Sequence, residues 1–409
     1  MARKQPIRVA LDIGTHQVSV LVASVEEAAP RIIGVGTAPS RGLRRGVVVD
    51  IEATVQAIQR ALREAEMMAD CAIHSVAVSL SGSHIEGVSS HGMVPMKSHE
   101  VSAEDVALVK EAAQTIKLPA DREVLHVLDQ GYSVDEQGGI RDPKGMSGVR
   151  LESRVYLLTA STPILQNIQK CCNRAGITAT VVVLSPLASA AAVLGEEERE
   201  LGVGVIDFGG GTTDFLVYHG GVVQHASVLG LGGSHLTNDI AAGLRTPASE
   251  AERLKQHFGC ALASQVAAND HIEVPAVGGR QSRQVSRQVL AEIIEPRTEE
   301  ILSLVAQDAH QARVMGLLNS GIVLVGGTAE LPGIVELAER VLGVPVRRGV
   351  PREVTGFGEM VGDASWATGV GLLLLADSEE LWSLQEDEVP AGVLMRFRSR
   401  MGDWLRDFF

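Results

Sequence analysis

Two segments of the chain repeat one pattern of apolar and polar positions. In each, an apolar run ends at an aspartate, a glycine-rich turn follows, and a second apolar run begins. The first segment is IRVALDIGT with VSVLVA, and the second is VGVIDFGGGTTDFLVY, which starts at Val203. Such runs predict strands, and the short polar links predict hairpins. Asp12 and Asp207 lie about half the chain apart, which is too far for a solenoid repeat. We therefore predict two duplicated halves, each opening with a hairpin that carries an aspartate.

The segments between and after the hairpins predict mixed helix and strand. Apolar residues at helical spacing predict a helix over 52–68. Residues 83–160 mix strand-like and helix-like patterns and predict a small inserted subdomain. In the second half, IVLVGG predicts a buried strand, and a helix is expected from Leu331 to Leu342. A long helix through residues 290–305 should bend at Pro296, because proline removes a backbone donor.

The end of the chain has a pattern of its own. An acidic segment predicts a solvated linker over 377–392, followed by an amphipathic helix over 393–409. That helix would place large apolar side chains on one face and arginines beside it: Leu394, Phe397, Met401, Trp404, Leu405 and Phe408, with Arg398 and Arg400. Such a pattern is typical of a helix lying in the lipid interface. The alternative is a helix that docks on its own protein or on a partner.

Composition narrows the class of protein. Apolar residues make up 45% of the chain and aromatic residues only 3%, which predicts a globular protein with a core of Val, Leu, Ile and Ala. The formal net charge of −14 argues against a nucleic-acid-binding protein, which needs a basic face. The N-terminus has no signal-peptide core, and no apolar run is long enough to span a bilayer.

Three glycine-rich turns carry the candidate chemistry. Glycine lets the backbone approach a phosphate and direct N–H groups at it, and threonine hydroxyls add donors. The turns contain Gly14 and Thr15; Gly209, Gly210, Gly211, Thr212 and Thr213; and Gly326, Gly327 and Thr328. Asp12, Asp207 and Asp214 are hard oxygen ligands, and we expect Asp12 and Asp214 to hold Mg²⁺ through water. Neither a P-loop nor a Rossmann fingerprint is present in the sequence.

Taken in this order, the turns resemble those of the actin, sugar-kinase and heat-shock-70 ATPase superfamily. The matching segments are LDIGTHQVSVLV, VIDFGGGTTDFLV and GIVLVGGTAELPGI. The resemblance implies an α/β actin-like fold, with two halves around a cleft that binds ATP. It also implies that Glu252 and Lys255 contact the ribose and adenine, and that Gly232 and Gly233 of LGLGGSHLTNDIA lie at the nucleotide.

Within that superfamily, nearly the whole chain resembles the FtsA family of bacterial cell-division proteins. The segments HGMVPM, GMSGVR, GEEERELGVGVIDFGGGTTDF, AEIIEPR and WATGVGLL carry this resemblance. It implies that the inserted subdomain belongs to the FtsA type. The implied division of the chain is 1–82 with 161–199 and about 360–376 (1A), 83–160 (1C), 200–236 with 307–359 (2A), and 237–306 (2B).

The same resemblance implies partners and a location. The protein is expected to bind the C-terminal tail of the tubulin homologue FtsZ, to polymerise with itself, and to recruit later division proteins. It would lie on the cytoplasmic face of the inner membrane at the division site, held by its C-terminal helix. Four arginines, Arg280, Arg283, Arg287 and Arg297, form a basic patch in the second half. Arg283 and Arg297 are the candidates for the FtsZ contact; the alternative is a solvated face.

One position bears on hydrolysis. Relatives in the superfamily place a glutamate or glutamine where this chain has Ser185, before Pro186, and that side chain positions the attacking water. Because serine is too short for this role, we expect ATP to be bound and hydrolysed slowly or not at all. The alternative is that another side chain, such as Asp207, supplies the role.

Two other functional classes stay open on the sequence. A phosphotransferase of the sugar-kinase branch would need a carboxylate base in the cleft, and spacing offers no candidate. A pilus-assembly actin homologue of the PilM type would be a binding module, but such chains are shorter and lack the acidic linker with a terminal helix.

Overall fold

The computed structural model describes residues 7–24, 29–276, 281–352 and 354–375. The predicted acidic linker and C-terminal helix lie outside these residues, as does Arg280. In chain order the strands are β1 (Ile7–Ile13), β2 (Gln17–Ser24), β3 (Arg31–Pro39), β4 (Leu43–Arg44), β5 (Val47–Val48), β6 (Ser75–Leu80), β7 (Glu86–Pro95), β8 (Arg122–Val134), β9 (Gln137–Ile140), β10 (Arg150–Ser161), β11 (Thr178–Leu184), β12 (Val203–Phe208), β13 (Thr213–His219), β14 (Val222–Leu229), β15 (His271–Val274), β16 (Arg283–Ser286), β17 (Ile322–Val325), β18 (Val346–Arg348) and β19 (Thr355–Gly356).

The helices surround these strands. They are α1 (Ile51–Ala69), α2 (Ala103–Gln114), α3 (Thr162–Ala175), α4 (Ser185–Val193), α5 (Glu196–Leu201), α6 (Gly233–Leu244), α7 (Ala248–Phe258), α8 (Arg287–Gln311), α9 (Ile334–Leu342) and α10 (Ala367–Leu375). Within the described ranges, none of them is both long and apolar enough to cross a bilayer.

Both predicted hairpins are confirmed, and each belongs to its own sheet. In the first half, the strand order is β11-β6-β1-β2-β3-β19, with β1 antiparallel to β2 and parallel to β6. In the second half, the order is β14-β13-β12-β17-β18, with β12 antiparallel to β13 and parallel to β17. Because the carboxyl ends of parallel strands meet at one edge of a sheet, each half collects its turn residues at one edge.

The segment between β6 and α3 forms a separate sheet with the order β7-β10-β8-β9, covered by α2. This agrees with the mixed subdomain expected from residues 83–160. Its strands contact the edge strand β14 of the second half. There the hydroxyl of Tyr156 accepts a hydrogen bond from the backbone N–H of Ala226 at 3.0 Å, and the Gln130 amide donates to the Val223 carbonyl at 2.7 Å.

One predicted helix differs in its starting residue, and another contains a proline. The helix expected from Leu331 begins only at Ile334, because Pro332 and Gly333 form a turn in which Gly333 has a φ of 78°. Pro296, where a bend is predicted, lies inside α8, which is one continuous helix over Arg287–Gln311. Burial of its apolar face, from Leu290 to Val305, offsets the missing backbone donor of Pro296.

The core is built mainly from aliphatic side chains, as the composition predicts. Helices α4 and α10 pack closely together in it, and a Cβ built on Gly371 would lie 1.7 Å from the carbonyl oxygen of Ala188. Only glycine permits this approach. It brings Ser189 and Thr368 within hydrogen-bonding distance, 2.9 Å between their hydroxyl oxygens, beneath the end of β12.

Candidate functional site

A cavity of about 80 Å³ lies where the two hairpins meet. It has room for several waters or a phosphate-sized anion. Both predicted turns, three carboxylates and several hydroxyl groups form its walls: Asp12, Ile13, Gly14, Thr15, Gly46, Ser81, Ser185, Asp207, Gly209, Gly210, Gly211, Thr212, Asp214 and Thr368. The sequence therefore identified most of this cavity.

The two turns are in direct contact. A Cβ built on Gly211 would lie 2.3 Å from the hydroxyl oxygen of Thr15, so no larger residue fits there without a shift. A Cβ on Gly210 would lie 3.1 Å from the His16 side chain. The turn of the first hairpin thus packs directly against the turn of the second, and the backbone of both turns borders the cavity.

Asp12 lies half-buried at the end of β1. Its Oδ1 accepts a hydrogen bond of 2.5 Å from the hydroxyl of Ser79, on the parallel strand β6. Burial raises the pKa of Asp12 to about 6; the Ser79 hydrogen bond opposes the rise, and the charge of Asp207 adds to it. This carboxylate is therefore costly to ionise in the folded protein without a cation.

Asp207 and Asp214 face each other on the second hairpin, as register partners on β12 and β13. Burial raises the pKa of both, and for Asp214 the charges of Asp207 and Asp12 raise it further. Asp207 Oδ2 accepts hydrogen bonds from Ser189 at 2.6 Å and Thr368 at 2.9 Å. Asp214 Oδ1 accepts one from Ser81 at 2.7 Å.

The three carboxylates form one electrostatic group. In the described part of the chain, no lysine or arginine forms an ion pair with any of them, and no cluster of three or more His, Cys, Asp or Glu side chains is arranged to hold a metal directly. Buried oxygen donors without a positive partner suit a hard divalent cation that retains its waters. The chemistry of this donor set therefore fits a hydrated Mg²⁺.

The third turn packs against the second hairpin but does not line the cavity. Gly326 has a φ of 88°, and a Cβ there would lie 2.5 Å from Asp207 Oδ1, so both conformation and space require glycine. A Cβ on Gly327 would meet nothing within 4 Å, so this part of the turn faces open space. The hydroxyl of Thr328 donates to the Gly209 carbonyl at 3.2 Å, which links the third turn to the second.

The residues expected at the ribose and adenine also come together. Lys255 Nζ donates to the Gly233 carbonyl at 3.0 Å and lies 2.8 Å from Glu252 Oε2. A Cβ on Gly232 would lie 2.7 Å from the Gly209 carbonyl oxygen, so this turn packs against the second hairpin. This group borders the cleft but does not line the small cavity.

Some predicted residues lie elsewhere. The side chain of Thr213 is fully buried, and its hydroxyl donates a hydrogen bond to the Leu231 carbonyl at 2.9 Å. This hydroxyl therefore points into the fold and not at the cavity. Arg283 donates to the Leu244 carbonyl at 2.7 Å, and Arg297 pairs with Asp239 at 2.6 Å, both along α6. The candidate membrane residues lie outside the described ranges.

Four hydroxyl residues of the site were missed by sequence reasoning. They orient the carboxylates: Ser79, Ser81, Ser189 and Thr368. For Ser79 and Ser81 a signal was present, because Ser79 lies near the end of β6 and Ser81 directly follows it, at the same sheet edge as the end of β1. Ser189 and Thr368 lie in apolar helices, and nothing in their spacing distinguishes them from packing residues.

The raised pKa of Asp12 predicts a pH-dependent stability. Its folded-state pKa of about 6 exceeds the ordinary 3.8, so the ionised folded form is penalised above pH 6 and the penalty disappears as the pH falls toward 4. About two pKa units correspond to roughly 3 kcal/mol in the free energy of unfolding. Without metal or nucleotide, Asp12→Asn should therefore be more stable than the native protein at pH 7, by up to that amount, and nearly equal to it at pH 4. Urea unfolding at both pH values measures this. An equal difference in stability between the two proteins at pH 4 and pH 7 would contradict the raised pKa of Asp12.

Comparison with known proteins identifies the family. A sequence model described as cell division protein FtsA matches residues 204–371, and a model of the SHS2 domain inserted in FtsA matches residues 82–159. The cell division protein FtsA of Pseudomonas aeruginosa is 46% identical over 400 residues, which covers 95% of this chain and 96% of the relative. The chain belongs to the FtsA family of cell-division proteins. The predicted family resemblance is confirmed, and the inserted domain of FtsA coincides with the sheet β7-β10-β8-β9.

Solved structures confirm the actin-like fold of this FtsA-family chain. A chain of the PilM–PilN type IV pilus biogenesis complex aligns with a TM-score of 0.63 at 18% identity, covering 90% of this chain and 97% of that one. MreB5 of Spiroplasma citri, bound to ADP, aligns with a TM-score of 0.55 at 14% identity, covering 92% and 97%. At such low identity, the likeness to PilM shows a common fold and does not favour a role in pilus assembly.

Proposed function

We propose that this FtsA-family protein binds Mg-ATP in the cleft between its two halves and tethers FtsZ filaments to the cytoplasmic membrane. The observation that carries the nucleotide part is the cavity itself, where two glycine-rich turns meet two buried carboxylates, Asp207 and Asp214, and the half-buried Asp12. Backbone N–H groups of the turns would bind the phosphates, and Asp12 and Asp214 would hold Mg²⁺ through water. The MreB5 structures with ADP and AMPPNP support this proposal, because that protein shares the fold.

Turnover should be slow. Ser185 lines the cavity at the start of α4. A longer polar side chain would be needed at this position to orient the attacking water, and the serine hydroxyl is too short. Asp207, the alternative, already accepts two hydrogen bonds through Oδ2. We therefore expect phosphate release well below the usual enzyme range of about 1–10³ per second. A rate within that range from pure protein, abolished by Asp207→Asn, would show that Asp207 supplies the role.

The second part of the proposal concerns FtsZ. Arg297 and Arg283 both contact α6, and Arg297 is about one-third exposed beside Asp239 and Glu300. A carboxylate of an acidic peptide could replace Asp239 as the partner of the Arg297 guanidinium, because charge-assisted pairs with arginine are directional and bidentate. We propose that the C-terminal tail of FtsZ binds at this face of α6.

The remaining parts concern the membrane and assembly. The C-terminal helix would hold the protein on the cytoplasmic face of the inner membrane at the division site. Self-polymerisation would multiply the number of such helices on one filament and raise the total avidity. Later division proteins would then be recruited to the same assembly. The 46% identity to an FtsA protein over nearly its whole length supports this reading.

Co-sedimentation with liposomes and FtsZ, with and without Mg-ATP, tests the proposal. The native protein should carry FtsZ to the vesicle fraction. Arg297→Glu should lower FtsZ recovery at least about tenfold while its own vesicle binding is kept. Arg340→Glu is a matched control, since Arg340 pairs with Glu295 and Glu299 away from α6. Equal FtsZ recovery by the native protein and Arg297→Glu would remove that residue from the contact.

A further inference from the structure

One side chain of the inserted subdomain reaches into the first half beside the cavity. His126, on β8, is only 2% exposed, and its Nε2 accepts a hydrogen bond of 3.1 Å from the backbone N–H of Leu184. Its Nδ1 has no hydrogen-bond partner in the ranges that the structure describes. The ring is thus held by one polar contact, which joins two separate sheets.

The contact requires a neutral ring. Burial lowers the pKa of His126 to about 3, so the imidazole is uncharged at neutral pH. Because Nε2 accepts the hydrogen bond from Leu184, the ring proton must lie on Nδ1. His126 therefore acts as an acceptor for a backbone donor that is itself buried.

Leu184 lies at a junction that matters for the cavity. It ends β11 and precedes α4, whose first residue, Ser185, lines the cavity. One turn later, Ser189 donates the 2.6 Å hydrogen bond to Asp207. The position of the Leu184 backbone therefore sets where Ser185 and Ser189 stand relative to the carboxylates.

The geometry points to His126 as a positioning residue for the end of the cavity that receives the outermost phosphate. This end contains Ser185 and the carboxylates, whereas Glu252 and Lys255 are not among the residues that line the cavity. The inference rests on the proposed binding of a nucleoside triphosphate in this cleft. It adds that a residue of the inserted subdomain, outside the cavity, helps to distinguish a triphosphate from a diphosphate.

The inserted subdomain has other attachments, so His126 can be tested without detaching it. Tyr156 and Gln130 bind the backbone of β14 in the second half, away from Leu184. Loss of the His126 acceptor should shift the start of α4 and leave the docking on β14 in place.

The test compares ATP and ADP affinity in three variants by titration calorimetry. His126→Leu removes the acceptor and leaves the buried Leu184 N–H unpaired, so ATP affinity should fall about tenfold and ADP affinity less than about threefold. His126→Gln keeps an acceptor at the corresponding position and should restore most of the ATP affinity. Tyr156→Phe, which removes a contact on β14, should leave the ATP-to-ADP ratio unchanged.

Hydrogen exchange at the Leu184 amide, without nucleotide, separates the possible failures. It should be faster in His126→Leu and near native in His126→Gln. Equal loss of ATP and ADP affinity without rescue by glutamine would overturn the positioning role and leave the nucleotide site intact. If the native protein binds neither nucleotide, the proposed function fails and the positioning role with it, even where exchange at Leu184 responds as expected.

Discussion

Asp214→Asn should weaken Mg-ATP binding by about 10- to 100-fold, which is the usual cost of removing a group that holds a metal through an outer contact. The same variant should unfold at an equal or higher denaturant concentration than the native protein. Asp214 is buried opposite Asp207, and both burial and the charges of Asp207 and Asp12 raise its pKa. A neutral amide removes that repulsion and can still accept the Ser81 hydrogen bond. Mg-ATP binding should therefore fall without any loss of stability, which a general loss of structure cannot produce.

Asp105→Asn is the matched control for this prediction. Asp105 is also largely buried, but it caps α2 in the inserted subdomain, where its carboxylate accepts hydrogen bonds from the backbone and hydroxyl of Ser102. These hydrogen bonds lower its pKa, the reverse of the situation at Asp214. Asp105→Asn should lower stability and leave Mg-ATP affinity unchanged. Unchanged Mg-ATP affinity in folded Asp214→Asn protein would remove Asp214 from the metal site.

The sequence predicted the parts of this site that depend on local pattern. Asp12, Asp207 and the glycine-rich turns were found because a strand, an aspartate and a tight turn leave a recognisable order along the chain. Gly211 shows why that order is strict, since a Cβ at this position would overlap Thr15 of the other half. Such local requirements on the backbone can therefore be inferred from the sequence alone.

The parts that depend on packing between distant segments were not predicted. Ser189 and Thr368 meet at Asp207 only because α4 and α10 approach closely through Gly371. His126 reaches Leu184 across two sheets, and its spacing on β8 is that of any core residue. Such contacts are set by the relative placement of whole elements, and the alternation of apolar positions along one strand does not contain that information.

Helix boundaries show a third case, in which local signals conflict. Pro296 removes a backbone donor within α8, yet buried apolar residues lie on both sides of it and the helix is continuous. At Gly333 the backbone signal prevails. Apolar spacing would extend the helix to Leu331, but Gly333 has a left-handed backbone, and α9 begins only after it.

The other large effect is expected at the C-terminal helix, which the sequence alone predicts. Its apolar face would offer several large side chains, and full burial of each is worth roughly 1.5–3 kcal/mol. An interfacial helix buries them only in part and must order itself, so a single molecule should bind reversibly. Trp404→Glu places a charge at the centre of this face and should reduce liposome flotation at least about tenfold, while Mg-ATP affinity stays native.

Trp382→Glu provides the matched control, because it makes the same change in the predicted acidic linker and should leave flotation intact. Arg398→Glu with Arg400→Glu should weaken binding chiefly to anionic vesicles, with a strong dependence on salt, since arginines beside the apolar face would contact lipid headgroups. If Trp404→Glu protein still floats, the membrane contact lies elsewhere. If the native protein fails to float and removal of residues 393–409 lowers its stability, the helix docks on its own protein instead, because a helix that packs on the fold contributes to folding and one that binds lipid does not.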